Sequence, residues 1–160
     1  FFPSYFPTNS CLAPCSRRCV LDFKTMTRLI YRAMTPGGDA LPTLGRTARS
    51  LGVRSSDVTV GPDGSIVPGT GGMSVAPDSP WNLPHHRRPR SLGRGSTGHD
   101  VDRVFEVAQE QVEAVSLVVR PEARRPELHA FVEPASRMQL GDYESALAAT
   151  RPAWKVIWPR

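Results

Sequence analysis

Apolar residues fall in short runs separated by Pro- and Gly-rich turns, not in long helical stripes. Leu29-Ile-Tyr-Arg-Ala-Met34 has the length and residue types of a strand. Thr35-Pro36-Gly37-Gly38 ends it, because Pro fixes φ and Gly admits positive φ. From Leu41 to Leu51, the spacing of Leu44, Ala48 and Leu51 predicts a short helical connector. Val58-Thr-Val60, Gly61-Pro-Asp-Gly64 and Ser65-Ile-Val67 read as strand, turn and strand, with Asp63-Gly64 at the tip. Residues 76–99 have loop composition, with Trp81 and Leu83 as candidate anchors.

The second half is punctuated in the same way. Val101, Val104, Phe105, Ala108, Val112 and Val115 fit a helical stripe, whereas Val104-Phe-Glu-Val107 fits a short strand. Ser116–Arg120 and Glu127–Glu133 are strands closed by Pro121 and Pro134. Asp142 is placed to cap a helix from Tyr143 to Thr150 that Pro152 stops. Trp154, Val156 and Ile157 form a last apolar edge. Many short strands with few helices predict an α+β domain.

Composition narrows this reading without changing it. The chain has 160 residues with 16 Pro and 13 Gly, which favours short elements and many ordered loops. No apolar run approaches the roughly 20 residues that span a bilayer. The net charge is +5, of which residues 1–25 carry +2 (Arg17, Arg18 and Lys24 against Asp22) and the rest +3. His85-His86-Arg87-Arg88-Pro89-Arg90 is the single dense basic cluster and reads as a solvated loop, which makes a nucleic-acid partner the weaker reading. Cys11, Cys15 and Cys19 lie in the first 25 residues, which share neither periodicity nor composition with the rest of the chain. The expected division is a leader over 1–25, an over-extended start or a targeting peptide, and a domain over 26–160 starting at Met26. Neither the cysteines nor His85-His86 has metal-ligand spacing, so no metal is expected.

Three groups of residues have the character of a site. Arg32 interrupts an apolar strand on the face of Ile30 and Met34, so it must be paired or face a cleft. It is an edge-strand arginine, a structural ion-pair member or a phosphate ligand, for which its planar fork suits it. Gly69-Thr-Gly-Gly-Met-Ser74 is either a loop turning into a strand or a place where a ligand meets bare backbone. It has neither the Walker ending nor the Rossmann spacing. His129 and Glu133 share one face of a strand, as a buried histidine and a solvated strand end or as cleft residues.

Leu29-Ile-Tyr-Arg-Ala, Asp63-Gly64 with Gly69-Thr-Gly-Gly-Met-Ser-Val75, and His129 with Glu133-Pro-Ala-Ser-Arg-Met138 occur in that order. Together with Tyr143, Leu147 and Trp154 they resemble the small ADP-ribosyltransferase toxins of type VI secretion, over about residues 29–154. The resemblance implies two small, mainly antiparallel sheets around an NAD cleft, with NAD as substrate and no metal. It implies Arg32 and Ser74 as site residues with Glu133 or His129 as the third corner, and Tyr31, Thr70, Gly71, Gly72 and Met73 lining the dinucleotide. An unidentified macromolecular acceptor and a cognate immunity protein are the implied partners, with the protein cytoplasmic or delivered into a target cell. The alternatives are a non-catalytic module that keeps the fold and an RNA-end processing relative.

Overall fold

The computed structural model describes residues 27–159. The expectations for residues 1–25 and for a start at Met26 lie outside the described residues.

Among the described residues there are eight strands and two α-helices, and every ladder between these strands is antiparallel. In chain order they are β1 (Leu29–Met34), β2 (Ser65–Ile66), β3 (Met73–Pro77), β4 (Arg103–Ala108), α1 (Gln109–Glu113), β5 (Leu117–Pro121), β6 (Ala130–Pro134), β7 (Met138–Gln139), α2 (Leu140–Ala149) and β8 (Lys155–Trp158). Six strands form one sheet in the order β5-β6-β3-β1-β4-β8, and β2 pairs with β7 in a separate ribbon. The α+β class with mainly antiparallel pairing and few helices is as expected.

Strand β1 is apolar on both sides because both faces of the sheet are covered. Ile30 and Met34 join the larger core with Val75, Phe105, Val132 and Trp154. The helices close that face through Val112, Tyr143 and Leu147. Tyr143 and Leu147 are one helical turn apart, and burying each contributes roughly 1.5–3 kcal/mol. Tyr31 and Ala33 face the other way, into a smaller cluster with Ala76, Val104 and Leu83. Leu83 belongs to the long segment after β3, so that segment is the cover of the second face.

Four local expectations change. Residues 41–51 form no helix: Leu44 pairs with Leu51 in an isolated bridge, and the Ser50 hydroxyl accepts from the Thr47 amide while donating to its carbonyl. Such local bonds compete with helix formation. Val58–Val60 contributes one bridge, Val60 to Ile66, because Ser65–Ile66 takes its ladder from Met138–Gln139 instead. The ambiguous stretch divides, with 103–108 a strand and 109–113 a helix. Helix α2 begins before Asp142, with Gln139 at the cap position and no side-chain cap bond. The Leu140 amide donates to the Gly64 carbonyl, so a tertiary contact starts this helix.

Candidate functional site

The site begins where strand β3 changes partners. Its last two residues pair with β1 (Ile30 with Pro77, Tyr31 with Ala76), and its first three pair with β6 (Met73 with Val132, Ser74 with Phe131, Val75 with Ala130). Beyond Tyr31, strand β1 therefore has no β3 partner, and the sheet opens between them.

Arg32 is the first residue past that point. Its guanidinium donates to the Ser74 carbonyl across the gap, to Ser50 O from Nε and Nη2 (3.3 and 3.2 Å), and to Ala48 O from Nη2 (3.3 Å). It is 6% exposed and belongs to none of the ion pairs among the described residues. The structural ion pair considered for it is absent; three backbone carbonyls hold it instead. Burial, and then repulsion from Arg87, push its pKa below the ordinary arginine value. An arginine still keeps its proton at neutral pH, so the charge at this gap persists.

A cleft of about 330 Å³ opens beside Arg32, with Arg54, Ser74, His86, Arg87 and His129 among its walls. Its charged walls are three arginines and Asp57, a formal +2 with the histidines neutral. Asp57 is held by Arg54 through two bonds of 2.8 Å, so it is committed to that partner. His129 sits immediately before β6 with Nδ1 3.1 Å from Glu122 Oε2, and its ring meets Phe131 edge-on at 4.6 Å. In the tautomer that donates from Nδ1 to Glu122, Nε2 is left as an acceptor.

Glu133 lies elsewhere. It is 1% exposed, and its Oε2 accepts from the Gly69 amide at 2.6 Å and from Arg120 Nε at 3.0 Å. It does not border the cleft, and it is not the solvated strand end considered for it. Its carboxylate ties strand β6 to the loop that precedes β3.

The second half of that loop is packed against protein. A Cβ on Gly71 (φ +113°) would stand 2.3 Å from Asp57 O, and one on Gly72 would stand 2.2 Å from Val132 O. These two glycines allow close approach of other chain segments. Thr70 Oγ1 bonds Val67 O within the loop. The Met73 amide donates to the Tyr143 hydroxyl, which in turn donates to Val132 O. Tyr31 is buried on the opposite face of β1, where desolvation raises its phenol pKa. The structure thus brings Arg32, Ser74 and His129 to one cleft, and Glu133, Tyr31, Thr70, Gly71, Gly72 and Met73 do not border it.

Arg54 and Arg87 are cleft residues that sequence reasoning missed. The basic cluster is solvated only in part: His85, His86 and Arg90 are exposed, but Arg88 is buried and donates to Leu83 O, and Arg87 donates to Ala33 O and Ala48 O. Arg88 and Arg94 both lie over the Trp81 ring, at 5.8 and 4.7 Å from its centre. A tryptophan a few residues ahead of an arginine cluster was the available signal, since an aromatic face orders guanidinium groups. Among the described residues no group of side chains is suited to a metal ion, and no helix is long and apolar enough to cross a membrane. No protein-family model, curated protein or solved structure matches the chain.

Proposed function

We propose that the cleft binds NAD and that the protein consumes it, as an enzyme of the ADP-ribosyltransferase type. One observation carries the reading: Arg32, Ser74 and His129, distant in sequence, border one cationic cleft where β3 passes from β1 to β6. A dinucleotide needs cations for its diphosphate, and the net positive walls supply them. His129 is the third corner in this reading, since Glu133 is engaged with Gly69 and Arg120.

The chemistry asks little covalent work of the protein. The bond between nicotinamide and ribose breaks with its electron pair passing to the ring nitrogen, which becomes neutral. The oxocarbenium ion left behind is taken by an acceptor nucleophile or by water, whose proton passes to His129 Nε2. Fixing the diphosphate holds the reacting carbon against that nucleophile. A macromolecular acceptor and a companion immunity protein belong to the same proposal.

Glu133 favours one further reading, a binding module without turnover. A carboxylate that would stabilise the oxocarbenium ion is turned toward the loop amide instead. Free nicotinamide measured after incubation with NAD separates the two. The enzyme reading expects release that falls at least 100-fold in His129→Ala and also drops in Ser74→Ala. NAD binding without release establishes the module, and neither binding nor release rejects both.

A further inference from the structure

Arg32 and Arg87 meet at one atom. Nη2 of each donates to the Ala48 carbonyl, so two guanidinium groups stand side by side on the cleft wall. Neither has a carboxylate at ion-pair distance among the described residues. Arg54 repels both, although its partner Asp57 favours the charge on Arg32 by more. Asp102 favours the charge on Arg87 from farther away, but it is bound directly to Arg49 and Thr35. A like-charge pair of this kind is a standing cost that an anion in the cleft would relieve.

The two arginines differ in what they have left to offer. Arg32 spends Nε, both Nη2 hydrogens and one Nη1 hydrogen on carbonyls, which leaves a single N–H. Arg87 is half-buried and spends only Nη2, on Ala33 O and Ala48 O. Its Nε hydrogen and both Nη1 hydrogens have no partner among the described residues, three charged donors for phosphate oxygens where Arg32 has one. The chain around it is fixed: the Arg87 amide donates to Pro84 O at 2.8 Å, and Thr97 and Gly98 amides close the segment onto His85 O and Arg88 O. Arg88, stacked on Trp81 and bonded to Leu83 O, pins the next position.

We infer that Arg87 is the residue that grips the diphosphate of the bound dinucleotide, while Arg32 is the scaffold that holds the gap between β1 and β3 open. The segment 84–98 is then a binding element and not merely a cover for the second face. This inference rests on the reading of the cleft as a dinucleotide site, and its test separates the two.

The test is calorimetric titration of the full chain with inorganic pyrophosphate and, separately, with NAD. Wild-type protein is expected to bind both. Arg87→Gln should weaken each by about 10- to 100-fold, the loss of a charge-assisted pair of bonds. Should Arg87→Gln unfold, Arg87→Lys decides, because it keeps the charge and stem but lacks the fork; it should weaken binding by about 10-fold. Pyrophosphate bound through Arg87 without NAD binding upholds Arg87 as the diphosphate ligand and rejects NAD as what it holds. NAD bound and consumed equally well by wild type, Arg87→Gln and Arg87→Lys overturns the assignment and leaves the NAD reading standing. No binding of pyrophosphate by wild type at millimolar concentration also overturns it.

Discussion

Replacing Glu133 with Gln tests whether this residue holds the fold or performs chemistry. Its Oε2 receives the Gly69 amide at 2.6 Å and Arg120 Nε at 3.0 Å, in a position 1% exposed to solvent. A carboxamide can still accept both bonds, but without charge. Charge-assisted bonds contribute about 1.5–3 kcal/mol against about 0.5–1.5 for neutral ones, so the Gly69 contact should lose about 1 kcal/mol. The share from Arg120 is smaller, because that side chain is 50% exposed and water screens it. The expected total is about 1–2 kcal/mol, or roughly 4–8 °C in Tm for a domain of this size. Glu133→Ala should cost more, since it leaves the Gly69 amide with no partner. Urea unfolding followed by tryptophan fluorescence gives the stability, and hydrogen exchange gives the protection of the Gly69 amide. Both should fall in Glu133→Gln, with nicotinamide release reduced less than 3-fold. Unchanged stability and protection, together with a loss of release beyond 100-fold, would refute the structural role and return Glu133 to the reaction.

Other perturbations probe neighbouring parts of the frame. Tyr143→Phe leaves the buried Met73 amide without its acceptor and should destabilise by about 1–3 kcal/mol in urea unfolding; a change below about 0.5 kcal/mol would contradict the bridge. Gly72→Ala places a methyl 2.2 Å from Val132 O and should destabilise far more than Gly69→Ala, where the space is open and only φ +84° opposes the change; equal effects would be contrary. Arg32→Ala removes the donors to three backbone carbonyls and should destabilise by about 2–4 kcal/mol, so loss of function in that variant reports folding first. Stability should fall on acidification below about pH 4. Asp39, Asp63 and Asp78 are held below the ordinary 3.8, chiefly by hydrogen bonds to Arg151, Ser65 and Arg28, so between folded and unfolded pKa values the unfolded chain binds more protons. Urea midpoints at pH 5 and pH 2.5 check this, and a rise at the lower pH would reverse the sign.

The strands were legible because their signals are local. Leu29–Met34, Leu117–Pro121 and Ala130–Pro134 are short β-type runs closed by Pro or by a Pro-Gly turn, and each is a strand within a residue or a few of its expected bounds. The stop of α2 at Pro152 was equally plain, with a 3-10 turn over Arg151–Ala153 following it. Its start was not, because Leu140 is fixed by the Gly64 carbonyl, a partner far along the chain. The same limit governs the site. The sequence marked Arg32 as a charge in an apolar strand that had to be satisfied, but it could not say that carbonyls of Ala48, Ser50 and Ser74 satisfy it. Glu133 and His129 were expected on one strand face, but His129 falls just before β6 and they serve different places, since Gly69 and Arg120 reach one and Glu122 reaches the other. Arg87 looked solvated because Trp81, the one nearby signal, orders Arg88 and Arg94 and does not show that the chain folds back over β1.

The central claim is that NAD occupies the cleft at the split of the sheet. Hydrogen exchange of the full chain with and without NAD tests it most directly. The prediction is added protection around residues 32–34, 48–50, 73–76, 84–88 and 128–130, with none around 106–111, which line a second cavity of about 310 Å³. Protection confined to 106–111, or no change anywhere at saturating NAD, would contradict it.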